Sequence, residues 1–280
     1  MIGQRLQRRV YRQGRCSSLL SAVVITKNEE KRIGDCLKRL NWCDEVVLVD
    51  SRSGDRTLDI ARSMGARVFV KDWEGFGAQK NFGMDQASGD WILFVEADEW
   101  ITDELRDEIL SSIGSEAPDG FKIPRLNIFL GKPVWHSDMY PDYQLRLIRK
   151  GSGRYTEENP PHESIRISGK IGHLRRHMIH RSYEKLSDFA EKMDKYTDVS
   201  ARDLVERGKH TGPVHMITRT AGRWIKVWLL KRGFLDGDEG CILAGLYAFY
   251  VFCKYAKVWE LRQKGGAPSC EVDEEGVPSP

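Results

Sequence analysis

The stretch Trp91-Ile92-Leu93-Phe94-Val95-Glu96-Ala97-Asp98-Glu99 decides how this chain is read. Five apolar residues in succession are followed by three carboxylates in the next four positions. That is the pattern of a buried strand in a parallel sheet whose end faces solvent. Such an ending suits a hard divalent cation, because Mg²⁺ is commonly held by one or two carboxylates and completed by substrate phosphates. Glu96 and Asp98 stand two apart, so on extended chain they fall on one side of it. The same acids would serve equally as a solvated strand end leading into a helix N-terminus, where negative charge is favoured. The neighbouring segments separate the two readings.

Upstream, Ser21-Ala22-Val23-Val24-Ile25-Thr26, Glu45-Val46-Val47-Leu48-Val49-Asp50 and Ala66 to Val70 read as further buried strands. Asn28 stands where a helix N-cap belongs, ahead of Ile33, Cys36, Leu37 and Leu40 at helical spacing. A second helix runs from the Ser51-Arg52-Ser53-Gly54-Asp55 turn to Gly65, and a third contains Ala78, Lys80, Asn81 and Met84. Short apolar strands alternating with helices predict an α/β fold, a mainly parallel sheet with helices on both faces. Ligands of such sheets bind beyond the carboxyl ends of the strands, where Thr26 to Glu29, Asp50 and the Glu96/Asp98 pair all fall. Neither a G-x-x-x-x-G-K-[ST] loop nor a G-x-G-x-x-G after a strand is present, so a metal is the expected partner of any bound diphosphate.

Four ordered motifs carry a resemblance: Val24-Ile25-Thr26-Lys27-Asn28-Glu29-Glu30, Val49-Asp50-Ser51-x-Ser53-x-Asp55-x-Thr57, Gly77-Ala78-Gln79-Lys80-Asn81 and Glu96-Ala97-Asp98-Glu99. In order and spacing they resemble those of family 2 glycosyltransferases, the inverting GT-A type. Within that family the chain is most similar to bacterial lipopolysaccharide-core β-1,4-glucosyltransferases, on the strength of Tyr140-Pro141-Asp142-Tyr143-Gln144-Leu145-Arg146-Leu147 and a later His162-Glu163. The resemblance spans roughly Ser21 to Leu261 and implies a GT-A domain over residues 21–180. It implies that Thr26, Glu29 and Asp50 hold the uridine of a UDP-sugar, that Lys80 lies near the diphosphate, and that Asp98 with Glu96 ligates Mg²⁺ or Mn²⁺. Tyr140, Asp142 and Arg146 would meet the acceptor, a lipopolysaccharide core or related glycolipid, and the hexose transferred would be glucose. The family usually has Asp where this chain has Glu96, whose extra methylene would shift the ligand, leave only Asp98 bound directly or alter the metal preference.

An inverting transfer needs a base on the acceptor hydroxyl, opposite the leaving diphosphate. Glu163 matches the family's base, and Pro160-Pro161 just before it restrict the chain; His162, with an unperturbed pKa near neutrality, is the second choice. The other readings kept open are a polyprenyl-phosphate glycosyltransferase and a non-catalytic nucleotide-sugar binding protein. Downstream, Ile165, Ile167, Ser168-Gly169 and Ile171 predict a hairpin. Tyr143, Leu145 and Leu147 alternate with Gln144 and Arg146 as in a half-buried strand with Arg146 on its other face.

The remainder bounds the protein's setting. A net charge of +3 gives no argument for nucleic acid, and six scattered cysteines without zinc or redox spacing fit a reduced, cytoplasmic compartment. Residues 1–20 read as a basic arm, and 265–280 as a disordered acidic tail. Residues 181–264 read as a helical region in which Trp224, Ile225, Trp228, Leu229 and Leu230 mix with Arg219, Arg223, Lys226, Lys231 and Arg232. That composition suits a helix in a membrane interface, here the cytoplasmic face of the inner membrane, or equally packing on the sheet or a dimer contact. The longest apolar stretch, Cys241 to Cys253, is too short to span a bilayer.

Overall fold

The apolar runs that end in a polar group become neighbouring strands. In the computed structural model, which describes residues 18–156, 164–209 and 211–266, strands β1 (Leu20–Thr26), β2 (Glu45–Asp50), β3 (Arg67–Val70) and β4 (Trp91–Glu96) pair in the order β3-β2-β1-β4. All three contacts are parallel. Their register sets Thr26 beside Asp50 and Ile25 beside Glu96, so the polar ends finish together.

Alternate residues of these strands feed two cores. Leu20, Ala22, Val24, Leu48, Leu93 and Val95 point to one face, packed with helix α1 (Ile33–Lys38) through Ile33 and Leu37 and α2 (Thr57–Ser63) through Ala61. Val23, Val47, Val49, Ile92 and Phe94 point to the other, where helix α3 (Phe76–Gln86) contributes Met84. Helices thus cover both faces, which is why these strands carry no polar alternation. Helix α3 lies so close that a Cβ at Gly83 would meet Val23 Cγ1 at 2.5 Å. Only glycine allows that approach, and it sets where Lys80 of the same helix emerges.

Beyond β4 the sheet turns antiparallel. After β5 (Glu99–Trp100), helix α4 (Asp103–Ser112) is capped by Thr102, whose Oγ1 accepts from Leu105 N at 3.2 Å, a contact worth about 1 kcal/mol. It buries Leu105 and Ile109. Then follow β6 (Gly120–Phe129), β7 (Lys132–Val134), β8 (Asp142–Arg149), β9 (Gly153–Thr156), β10 (Ser164–Ile167), β11 (Ile171–His173) and β12 (Met178–Tyr183). Strand β8 runs antiparallel to β4, β6 antiparallel to β8, and the path continues through β12 to β5. The sheet is therefore mixed, parallel in its first half and mainly antiparallel in its second, where β11 pairs with β6 in parallel.

Several expectations are corrected. Strand β10 pairs with β9 and β11 with the start of β6, so the Ser168-Gly169 turn does not join a hairpin. The local turn signal was real, at φ 147° for Gly169, but Ile165 and Ile167 pack behind Tyr155 of β9. Asn28 is not an N-cap: α1 starts at Ile33, and Asn28 takes the left-handed conformation, φ 55°, that asparagine tolerates. Arg146 is buried rather than turned to solvent.

The described residues divide into two compact units. The first holds Tyr140–Ser182 together with the chain up to Ile128. The second holds Phe129–Met139 and the chain from Tyr183 on, with helices α5 (Leu186–Glu206), α6 (Pro213–Ile225) and α7 (Gly237–Gly266). Its core joins Phe129, Val134 and Met139 to Leu243. Gly208, at φ 70°, ends α5 and Pro213 opens α6, each in the position its backbone favours. The stretch Gly233–Gln263 is, by length and composition, apolar enough to cross a membrane. The sequence reading stopped short of this at Cys253; the stretch runs on past Lys254 and Lys257.

Candidate active site

Asp50 closes the first part of the site. Its Oδ2 accepts from Thr26 Oγ1 at 3.0 Å and from Ser53 Oγ at 2.5 Å, and its Oδ1 accepts from Ser53 N at 2.7 Å. The loops after β1 and β2 are laced together: Asn28 N donates to Ser53 Oγ (2.7 Å), Gly54 N to Asn28 Oδ1 (2.9 Å) and Glu29 N to Thr57 Oγ1 (2.8 Å). The Thr-Lys-Asn-Glu and Asp-Ser motifs are thus two halves of one rim. Burial pushes the Glu29 carboxyl up, Arg32 pulls it down and nearby Asp98 pushes it up again.

The second part is a line of alternating charge. Lys80 Nζ donates to Glu96 Oε1 at 3.4 Å, and Arg146 Nη2 donates to Glu96 Oε1 at 2.8 Å and to Glu99 Oε1 at 2.6 Å. Arg125 reaches Glu99 at 3.3 Å and Asp142 at 2.6 Å. Glu99 is fully buried and also accepts from Glu96 N at 2.9 Å. Burial alone would push the Glu96 carboxyl up, but Arg146, Lys80 and Arg125 hold it well below the usual carboxylate range. Lys80 emerges beneath aromatic rings, 5.1 Å from the centroid of Tyr155 and 5.8 Å from that of Phe76. Gln79 beside it donates to Ser51 Oγ at 3.2 Å and to Asp72 O at 2.7 Å, tying α3 to the Asp50 rim.

Glu96 and Asp98 do not share a side. Strand β4 ends at Glu96 and the chain turns through Ala97 and Asp98, so Asp98 Oδ2 faces His180 Nε2 of β12 at 3.3 Å. Pairing of His180 with Glu99 across β12 and β5 sets that meeting. On the other side of the ring, Asn127 Oδ1 lies 2.7 Å from His180 Nδ1, which fixes the orientation of the imidazole. A carboxylate oxygen and an imidazole nitrogen so placed fit a divalent cation between them. Glu96 fits one less well, since Arg146 and Lys80 already share its Oε1. Among the described residues no group of three or more His, Cys, Asp and Glu could hold a metal.

The sequence-derived residues therefore fall into linked sets: Thr26 with Asp50, Lys80 with Glu96 and Arg146, and Asp142 joined to Arg146 through Arg125 and Glu99. Tyr140 stands edge-on to His177, with ring centroids 6.1 Å apart. Glu163 and His162 lie outside the described residues. The strands flanking them are placed: Asn81 Nδ2 donates to Tyr155 O and Tyr155 N to Asn81 Oδ1, both at 3.0 Å, which fastens β9 to the helix of Lys80. Sequence reasoning missed His180, Arg125 and the supporting role of Glu99. Only Glu99 had a signal, as the third acid of its motif.

The model of the family described as glycosyl transferase family 2 matches residues 21–175. A Rickettsia typhi protein named an uncharacterized glycosyltransferase is 32% identical over 257 residues, 88% of either chain. The lipopolysaccharide core biosynthesis glycosyltransferase LpsC of Rhizobium meliloti is 29% identical over 261 residues, covering 90% of this chain and 96% of its own. Among solved structures, S. aureus TarS 1–349 in complex with UDP-GlcNAc aligns over 91% of this chain and 95% of its own, at 20% identity and a TM-score of 0.44. The chain belongs to glycosyltransferase family 2. It is a glycosyltransferase with the α/β GT-A fold of that family, extended by C-terminal helices.

Proposed function

We propose that the chain is an inverting, metal-dependent hexosyltransferase that moves glucose from a UDP-sugar to a lipopolysaccharide-core or related glycolipid acceptor at the cytoplasmic face of the inner membrane. The observation that carries this reading is the convergence of Thr26, Asp50 and Glu96 at the ends of three adjacent parallel strands, with Lys80 delivered to the last of them. The likeness to a lipopolysaccharide core enzyme supports the acceptor class.

Thr26, Glu29 and Asp50 form the uridine rim, and Lys80 serves the diphosphate. Asp98, with His180, would hold Mg²⁺ or Mn²⁺, which supplies charge neutralisation for the departing UDP. Tyr140 and Asp142 face the acceptor side, while Arg146 supports the site from within. Glu163 takes the proton of the acceptor hydroxyl as its oxygen bonds to the anomeric carbon and the carbon–oxygen bond to UDP breaks, so configuration inverts.

Chelation by EDTA is expected to abolish UDP release and Mn²⁺ or Mg²⁺ to restore it, with Asp98→Asn needing more metal for the same rate. Transfer indifferent to EDTA would remove the metal from this reading. Release of UDP only when a lipid-core extract is present separates an enzyme from a nucleotide-sugar binding protein. A polyprenyl phosphate replacing that extract tests the other acceptor.

A further inference from the structure

We propose that the second unit docks on an anionic membrane surface through the solvent face of α6 and the turns that follow it. Helix α6 buries none of its residues, although its apolar side chains recur at helical spacing. A helix of a soluble fold turns that stripe to the core. Here Val214 is 76% and Ile217 65% exposed, with Trp224 and Ile225 exposed on the same side. The apolar surface continues past the helix through Leu229, Leu230 (73% exposed), Phe234 and Leu235. The inward side is built from different material. Arg223 lies over the ring of Tyr247 at 4.9 Å, and His215 meets Tyr255 edge-on at 4.8 Å.

Charge selects the occupant. From Arg207 to Leu235 the chain has seven Lys and Arg and no Asp or Glu. Within the unit, Arg223, Lys226 and Lys231 all gather on the single carboxylate of Asp138, at 3.3, 3.5 and 3.0 Å, so positive charge remains in excess. Arg219 and Arg232 are exposed. Apolar residues rimmed by cations match acyl chains beneath anionic headgroups. A second copy of this face would set like charges against each other.

The bilayer is a surface here, not a medium that α7 crosses. Lys257 of that helix pairs with Asp194 at 2.7 Å and Asp198 at 2.6 Å of α5, and Tyr250 hydrogen-bonds Ser200 at 3.1 Å. Leu243, Ala244 and Val258 are buried. The helix is thus a member of a bundle.

The test is co-sedimentation of the full chain with phosphatidylcholine vesicles, with and without phosphatidylglycerol. Binding is expected only with phosphatidylglycerol, with release by high salt. It is expected to fall about tenfold or more in Ile217→Glu/Leu230→Glu and in Arg219→Gln/Arg232→Gln, at unchanged melting temperature. Equal binding to both vesicles, no binding, or undiminished binding by folded variants would overturn the proposal. So would a dimer that Ile217→Glu dissociates, or resistance to carbonate extraction, which marks a spanning helix. Should a variant fail to fold, lipid and salt dependence of the wild type decide. No donor or acceptor is needed, so failure here leaves the transferase reading standing, and the converse holds.

Discussion

Glu163→Gln is expected to lower kcat for sugar transfer by about 10²–10⁴-fold, with donor KM and melting temperature close to wild type. Glutamine keeps the size of the side chain and its hydrogen-bonding oxygen but cannot accept the acceptor's proton. The loss therefore belongs to the chemical step and not to donor binding. The segment that carries Glu163 joins β9 to β10, and β9 is fastened to α3 by the paired Asn81–Tyr155 hydrogen bonds, one residue along from Lys80. Steady-state kinetics with the acceptor varied give the answer. Near wild-type kcat for Glu163→Gln, with a large loss for His162→Gln, would transfer the role to the neighbouring imidazole.

The second large effect is on stability. Arg146→Met is expected to cost about 3–5 kcal/mol in urea unfolding near neutral pH, because it removes one partner from a buried ion cluster. Arg146 is 5% exposed and its guanidinium serves both Glu96 and Glu99, which would be left with only the longer contacts to Lys80 and Arg125. An exposed pair would cost at most about 1 kcal/mol, so the measurement separates the two situations. The pH dependence follows from sign. Glu96 is held below its ordinary 4.5, so its contribution is fully present above that value and is lost as pH falls through the lower folded-state value. In Arg146→Met burial is left with less to oppose it, the carboxyl rises, and the gap between variant and wild type narrows below about pH 4.5. A gap that widens in acid would contradict this account of the cluster.

The parallel half of the fold was legible because each of its strands is a contiguous apolar run, and β1, β2 and β4 end at a named polar residue. The same property exposed Thr26, Asp50 and Glu96 as one set, since strand ends in a parallel sheet fall on one edge. The charge cluster was not legible. Arg146 occupies an alternating position that looks solvent-facing, and it finds its carboxylates 50 and 47 residues away in sequence. His180 gave no local signal at all, because its partner Asp98 is fixed by strand pairing and not by spacing. The supposed side-by-side placement of Glu96 and Asp98 failed because extended geometry stops at Glu96. The hairpin at Ser168-Gly169 failed because a turn signal says where a chain bends, not which strand waits beyond.

Lys80, Glu96, Arg146, Glu99, Arg125 and Asp142 alternate in sign, so together they cancel. On the proposed reading, an arriving pyrophosphate would meet a floor that is strongly polar yet neutral and would gain no long-range pull from it. Its capture then rests on short-range contacts and on whatever countercharge travels with it, so donor uptake would track the supply of divalent ions far more closely than the ionic strength of the medium.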